Sequence, residues 1–184
     1  MPSFGFVPIT HEFDDIREEA QLAESLGLDG CYFVEHHQQP GIVASPLTLA
    51  AAVAAVTERI TIGTGIIVLP LYHPVHVAED CATIDRISRG RFVLGVGLGY
   101  QAVDFGAFDV PIRQRVSLFE ESVEVIRRLW TEDNVSFAGK RYRLDKVRLY
   151  PKPLQDPHPP IWLAGAAEEA VKRAARLGDA WLAD

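Results

Sequence analysis

The residues best suited to acid–base chemistry lie together in the stretch CYFVEHHQQP, where an apolar run ends in Glu35, His36 and His37. A short apolar strand that ends in ionisable groups carries them to one rim of a fold. Because imidazole titrates near physiological pH, a histidine fixed at such a rim can accept or donate a proton. A solitary histidine is more often a structural hydrogen-bonding group, so the context must support an active-site rim here.

Composition restricts the classes of function. The 184 residues include 48% apolar side chains, which is typical of a globular protein with a substantial core. The formal net charge of -7 and the scattered basic residues argue against nucleic acid as a partner. The longest apolar block, Leu47 to Val56, is too short to span a membrane, and no targeting pattern precedes it. We therefore expect a cytoplasmic protein.

The two cysteines, Cys31 and Cys81, fall in different apolar segments, and neither belongs to a CxxC pair. This spacing predicts two reduced core residues and no disulfide. His73 and His76 stand at helical spacing, but no carboxylate or third histidine is placed with them to complete a set of metal ligands. We therefore expect helix capping and solvent exposure for this pair, and no metal site.

Strand and helix patterns alternate along the chain. The predicted strands cover residues 4–7, 31–34, 60–69, 91–96, 161–164 and 180–182, and the predicted helices cover 10–26, 45–56, 73–90, 113–130 and 167–177. A strand recurs about every 30 residues, which is the length of a βα unit. The pattern is interrupted between Trp130 and Ile161, where residues 135–137 and 142–144 predict an inserted hairpin.

Two α/β architectures suit this alternation, an open doubly wound sheet and a (β/α)8 barrel. A complete barrel normally needs about 250 residues, so six strands would be its N-terminal portion, with residues 1–184 forming one incomplete domain. Such a portion would expose two unpaired apolar edges, which favour aggregation. We therefore expect the sequence to be part of a longer protein, with an open six-stranded sheet as the alternative.

Several stretches, taken together, resemble the luciferase-like monooxygenase superfamily, which includes bacterial luciferase chains and F420-dependent oxidoreductases. They are YFVEHH at 32–37, IGTG at 62–65 with VLP at 68–70, HPV at 73–75, DRISRGRF at 85–92, GVG at 95–97 and ARLGD at 175–179. The resemblance implies a TIM barrel of the bacterial luciferase type, with its cofactor at the C-terminal ends of the strands. This chain would supply strands one to six, with the hairpin inserted after the fourth helix.

The resemblance also implies catalytic roles. His36 corresponds to the position that relatives use as an acid or base or to support the flavin peroxide. Glu35 and His37 would orient His36 or face the structure, and Asp104 corresponds to an acidic position near the pocket. Helix capping would explain Asp104 equally well. Thr64 and Gly65 correspond to a bulged site where relatives place a non-prolyl cis peptide against the isoalloxazine ring, although a simple bulge would explain the same glycine.

Other residues are implied as cofactor contacts. They are Leu98, Gly99 and Tyr100 beside the ring and phosphate, Arg115 as a basic phosphate contact, and Ala164, Gly165, Ala166 and Ala167 at a helix start. Leu98 stands where some luciferase chains have an arginine, and simple solvation would explain Arg115 equally well. Backbone N–H groups at a helix N-terminus bind anions without any particular side chain.

The function implied by the resemblance is oxygenation of a small organic substrate by reduced FMN and O2, with a flavin reductase as partner. F420-dependent hydride transfer is the alternative, and a non-catalytic partner subunit is a third reading. A metal-dependent barrel hydrolase would need an HxH motif on the first strand, which residues 4–8 lack. The small faces of residues 47–56 and 77–84 also predict a homodimer.

Overall fold

The computed structural model describes residues 4–10, 12–40 and 43–183. The helices are α1 (Phe13–Ser25), α2 (Pro46–Ala54), α3 (Pro74–Ser88), α4 (Ala102–Ala107), α5 (Arg115–Thr131) and α6 (Glu168–Leu177), with 3-10 turns at Leu69–Leu71 and Ile112–Gln114. The strands are β1 (Gly5–Phe6), β2 (Gly30–Phe33), β3 (Thr61–Thr64), β4 (Ile67–Val68), β5 (Phe92–Gly97), β6 (Val135–Ala138), β7 (Arg143–Val147), β8 (Ile161–Ala164) and β9 (Ala180–Leu182).

The main sheet is parallel and keeps its strands in chain order, β1-β2-β3-β5-β8-β9, with β4 also paired to β5. A doubly wound sheet would reverse this order at a switch point, whereas successive βα units of a barrel do not. The sheet curls into half a barrel, which confirms the predicted fold class. Strands β6 and β7 form a separate antiparallel hairpin, as the interrupted pattern predicted.

The third barrel strand is broken, so the prediction of one continuous strand over residues 60–69 was wrong. Gly63 pairs with Val93 and Ile67 pairs with Val96, which leaves one extra residue on the β3–β4 side. The Thr64 hydroxyl donates to the Gly95 carbonyl at 2.7 Å and accepts from the Gly95 N–H at 2.9 Å. Because this side chain takes both backbone groups that a regular ladder would use, the strand bulges before pairing resumes.

Helix α4 was absent from the prediction because it has six residues and one of them, Gly106, is a poor helix former. The long helix α5 begins at Arg115. The helical spacing of Val116, Phe119, Val123, Ile126 and Trp130 predicts one inward apolar face, and these residues are buried except Val116. Val116 is 39% exposed, so this part of the prediction was wrong. Val116 lies in the first turn of α5, and only the later turns of this helix reach the core.

The core fills the space between the sheet and its helices. Cys31 and Cys81 are free and fully buried, which confirms their prediction as reduced core residues. Burial raises the pKa of the Cys31 thiol to about 12. The small residues of α2 and α3 that suggested a homodimer, including Ala50 and Ala78, are buried against other elements of the same chain.

On the concave face of the sheet, the ring of Tyr32 occupies the space that side chains at several glycine positions would otherwise fill. A Cβ added at Gly5 or Gly30 would lie 2.5 Å from the Tyr32 ring, and one added at Gly63 would lie 2.9 Å from it. The Tyr32 ring also lies 5.5 Å from the ring of Trp162 on β8. The glycines therefore make room for a ring pair that fills the interior of the half-barrel.

The carboxylate of Glu24 holds the segment that leads into β3, at the amino ends of the parallel strands. Oε1 of Glu24 accepts the backbone N–H groups of Glu58, Arg59 and Ile60 at 2.9, 2.6 and 2.9 Å, just before β3 begins. Partial burial raises the pKa of Glu24, but these three bonds outweigh that effect and hold it below the ordinary value of 4.5. A carboxyl group with a lowered folded-state pKa stabilises the fold above its unfolded pKa, and this contribution disappears as the pH falls through the folded-state pKa.

We therefore expect Glu24→Gln to lower the free energy of unfolding by about 1 kcal/mol at neutral pH, because the charge strengthens three hydrogen bonds. The difference from wild type should shrink as the pH falls below 4.5, where the unfolded carboxyl takes up a proton. Urea unfolding of both proteins across a pH series measures this. A difference of constant size at every pH would contradict the role of the charge.

None of the helices in residues 4–10, 12–40 and 43–183 is both long enough and apolar enough to cross a membrane.

Candidate active site

A cavity of about 480 Å³ opens at the carboxyl ends of the parallel strands. Its wall is built by segments that follow β2, the β3–β4 bulge, β5 and β8, which the curvature of the sheet brings together. The predicted site residues that line it are Glu35, His36, Gly65, Leu98, Gly99, Tyr100, Asp104, Ala164, Gly165, Ala166 and Ala167. Thr64 and Arg115 are the predicted residues that do not.

His36 is the half-buried imidazole of the cavity wall. Its backbone N–H donates to the Val43 carbonyl at 3.1 Å, which fixes the chain at the end of β2. Among the described residues, its ring has no hydrogen-bond partner. Both ring nitrogens are therefore free to bind a ligand or to exchange a proton with it.

Glu35 is also part of the cavity wall, but its carboxylate is engaged by protein groups. Oε2 accepts the Val68 N–H, and Oε1 lies 2.8 Å from the Tyr72 hydroxyl and 2.6 Å from His37 Nε2. Burial raises the pKa of Glu35, while these contacts act in the opposite direction. The His37 ring packs 4.7 Å from Phe108, so this histidine belongs to the wall behind His36.

Asp104 brings a second carboxylate to the cavity lining. It is only 5% exposed, and Oδ1 has no hydrogen-bond partner among the described residues. The N-cap of α4 is Gln101, so Asp104 lies inside the first turn and does not cap the helix. A buried carboxylate oxygen without a partner is costly, which makes it a candidate acceptor for a hydrogen-bond donor of a ligand.

The bulge places Gly65 and Ile66 against the cavity while Thr64 remains behind them. Thr64 is fully buried, and its hydroxyl bonds both backbone groups of Gly95. The non-prolyl cis peptide joins Gly65 to Ile66, one bond later than the Thr64–Gly65 position expected from the resemblance. A Cβ on Gly97 would lie 2.7 Å from the Ile66 side chain, so this glycine makes room for Ile66.

The far end of the cavity is formed by the turn from β8 into α6. Gly165 has a φ of 140°, and the backbone N–H groups of Ala166 and Ala167 have no acceptor among the described residues. Free N–H groups before a helix provide the donors that a phosphate requires. Glu168 and Glu169 weaken the attraction for an anion here, although both are solvated and pair with Lys172.

Arg115 lies apart from this group. It begins α5, where one terminal nitrogen donates to the Ile112 carbonyl at 3.4 Å and Nε is buried without a partner among the described residues. The cavity also includes residues that were not predicted from the sequence, namely Val34, Ile66, Val68, Gly97, Gln101, Phe105 and Ala170. The signal for Val34 was its place at the end of a predicted strand, whereas Gln101 and Phe105 depended on the unpredicted helix α4.

Comparison with known proteins identifies the family. The family model described as luciferase-like monooxygenase matches residues 1–184. The chain belongs to the luciferase-like monooxygenase family. The relatives of this luciferase-like chain include both dehydrogenases and monooxygenases.

Two curated relatives are F420-dependent dehydrogenases by name. The chain is 33% identical to the F420-dependent glucose-6-phosphate dehydrogenase of Nakamurella multipartita, over 97% of this chain and 55% of that protein. It is 32% identical to the F420-dependent hydroxymycolic acid dehydrogenase of Mycobacterium tuberculosis, over 96% of this chain and 51% of that protein. This luciferase-like chain therefore spans about half the length of these curated relatives.

Among solved structures, a monooxygenase from Streptomyces bottropensis superposes with a TM-score of 0.89 at 32% identity, covering 95% of this chain and 57% of that one. An F420-dependent secondary alcohol dehydrogenase, solved with an F420–acetone adduct, superposes with a TM-score of 0.85 at 27% identity, covering 98% and 57%. The luciferase-like half-barrel is thus common to relatives of both chemical types.

Proposed function

We propose that this chain carries the cofactor-binding half of an oxidoreductase site that acts on a small organic molecule. The observation that carries the proposal is the cavity itself, which is lined by the His36 ring and by Asp104 Oδ1. Within the part of the chain that the structure describes, neither group has a hydrogen-bond partner. Gly65 and Gly99 contribute backbone without side chains to this wall. A flat ring system with a polar tail fits such a lining.

Different parts of the cavity lining suit the ring and the phosphate of a flavin or deazaflavin. The Gly65–Ile66 bulge and Leu98 offer an apolar surface for a ring, and the free N–H groups of Ala166 and Ala167 offer donors for a phosphate. Asp104 would accept a hydrogen bond from a ligand hydroxyl or N–H group. When bound, reduced FMN would supply electrons to O2 for oxygenation, whereas F420 would exchange a hydride with the substrate.

His36 then performs the proton chemistry. As a neutral imidazole it can take a proton from a substrate hydroxyl, and as an imidazolium it can give one back. The same residue serves both reactions, because oxidation of an alcohol by hydride transfer releases the hydroxyl proton, and oxygenation leaves one oxygen atom of O2 that takes up protons to become water. The half-buried position of His36 limits access by water while leaving its ring open to the cavity.

Reduced FMN with O2 is the first version of the function, and it is supported by the likeness to the Streptomyces monooxygenase at 32% identity. This version requires a flavin reductase as a partner. F420-dependent hydride transfer is the second version, and the two dehydrogenase relatives at 33% and 32% identity support it. A homodimer would suit either version.

We expect the purified full-length protein to bind one of the two cofactors with a dissociation constant in about the micromolar range or below. Fluorescence titrations against FMN and F420, each oxidised and reduced, measure this in parallel. Preferential binding of reduced FMN supports the monooxygenase, and preferential binding of F420 supports hydride transfer. Binding of neither cofactor would contradict the proposal and favour a non-catalytic subunit.

Riboflavin provides a matched control, because it has the ring and ribityl chain of FMN without the phosphate. If the N–H groups of Ala166 and Ala167 hold the phosphate, Ala166→Asp should weaken FMN binding by about tenfold or more, because the added carboxylate repels the phosphate at short range. The same change should leave riboflavin binding nearly unchanged. Equal weakening of both would place the phosphate elsewhere.

A further inference from the structure

We propose that Glu35 is the positioning residue of the cavity, which holds His36 and the β3–β4 bulge in place without exchanging protons with a substrate. This inference rests on the proposed function, because it assigns Glu35 a part in the same site. The resemblance gave Glu35 either an orienting or a structural role beside His36, whereas a carboxylate at an active site can also exchange protons itself. The contacts of Glu35 separate these two roles.

The carboxylate of Glu35 is saturated by the protein. Its side chain is 0% exposed, and its two oxygens meet three groups, the Val68 N–H, the Tyr72 hydroxyl and His37 Nε2. An ionised carboxylate accepts from all three when His37 carries its proton on Nε2. A substrate in the cavity would have to displace one of these donors to reach Glu35, whereas the His36 ring needs no such displacement.

The backbone of Glu35 holds the same segment as its side chain. The Glu35 N–H donates to the Ile66 carbonyl at 3.2 Å, and the Gly65 N–H donates to the Phe33 carbonyl at 2.8 Å. Together with the bond from Val68 to the carboxylate, these contacts span the whole bulge from Gly65 to Val68. Ladder bonds are irregular at a bulge, so a side chain that bridges to the next strand replaces part of the lost pairing.

His36 is fixed on both sides by this arrangement. Glu35 precedes it in the chain and is anchored to β4, while His37 follows it, bonds to Glu35 and packs against Phe108. Rotation of the backbone at His36 would therefore break contacts on one side or the other. Precise placement of an acid or base matters because an error of about 1 Å can cost a hundredfold in rate.

Glutamine and alanine at position 35 distinguish positioning from proton exchange. In Glu35→Gln the amide oxygen can accept the Val68 N–H, and the amide NH2 can donate to Tyr72 and His37, since both can reverse their roles. Glu35→Ala leaves all three groups without a partner. We expect Glu35→Gln to retain turnover within about threefold and Glu35→Ala to lose about thirtyfold in kcat, with less change in KM.

Glu24→Ala is the matched control, because Glu24 also collects three backbone N–H groups but lies at the opposite end of the sheet. It should lower stability and leave kcat unchanged when rates are corrected for the folded fraction. A loss for Glu35→Gln as large as that for Glu35→Ala would overturn the proposal in favour of proton exchange. Unchanged kcat in both variants would show a purely structural role.

The imidazole signals of His36 in an NMR spectrum of the full-length protein test the proposal even if no turnover is found. If the wild-type protein shows neither turnover nor cofactor binding, the proposed function is rejected, but the positioning role of Glu35 is still tested by these signals. Glu35→Ala should shift the His36 ring signals, while Glu24→Ala should not. If Glu35→Ala does not fold, Tyr72→Phe removes one of the three donors and should shift the same signals; unshifted signals would overturn the positioning role.

Discussion

Replacing His36 with alanine is expected to lower kcat several hundredfold while cofactor affinity stays within about threefold, because a positioned acid or base contributes about a hundredfold or more to such reactions. The expectation rests on the half-buried His36 ring, which lines the cavity and has no partner among the described residues. Steady-state kinetics with the cofactor that binds, together with a fluorescence titration of the variant, separate the two effects.

His76→Ala serves as the control for this prediction. His76 lies on α3 outside the cavity lining, and its side chain is 79% exposed beside Glu79. Its removal should change neither kcat nor affinity. If His36→Ala kept wild-type turnover, the proton would have to be handled by another group, and the acid or base role of His36 would be rejected. A loss of cofactor binding without a loss of kcat would instead assign His36 to the binding surface.

Gly95→Ala is expected to have the largest effect on stability. A Cβ at this position would overlap the carbonyl oxygen of Thr64 and lie 2.9 Å from its carbonyl carbon. The Thr64 backbone cannot retreat without breaking the two bonds between its hydroxyl and Gly95. We expect a loss of about 3 kcal/mol or more, which for a domain of this size lowers Tm by about 6–12 °C.

Gly106→Ala is the matched comparison, because a Cβ there meets nothing within 4 Å. Gly106 lies inside α4, so alanine should stabilise the protein slightly, by about 0.5–1 kcal/mol. Calorimetry or thermal denaturation of both variants gives the two shifts. An unchanged Tm for Gly95→Ala would mean that the bulge shifts easily, and it would contradict the expectation that the Thr64 bonds to Gly95 hold the bulge in place.

The elements of the fold that follow from local sequence patterns could be predicted from the sequence. The strand at Ile161–Ala164 and the helix that follows it are marked by apolar periodicity and by the small residues between them. The helix that begins at Pro74 is marked by His73, whose ring accepts the Val75 N–H at 3.3 Å as an N-cap. These signals depend on neighbours in the chain, which a sequence displays directly.

The features that depend on contacts between residues distant in the chain could not be predicted in this way. Nothing local to residues 60–69 reveals that the Thr64 hydroxyl takes both backbone groups of Gly95. Propensity therefore predicted one continuous strand, and only the resemblance at Thr64 and Gly65 indicated a bulge. In the same way, the saturation of Glu35 depends on Val68 and Tyr72, which lie more than 30 residues away. The motif placed Glu35 and His36 at the site, and only tertiary structure distinguishes their surroundings.

The packing of Tyr32 over Gly5 and Gly30 has an evolutionary consequence. Because a Cβ at either glycine would lie 2.5 Å from the same ring, these positions on two neighbouring strands do not vary independently. A side chain can enter at one of them only if the Tyr32 ring shifts or becomes smaller, and a smaller ring leaves a void unless a side chain enters. Such reciprocal epistasis makes the single-step routes costly and preserves the combination of two glycines and one tyrosine as a unit.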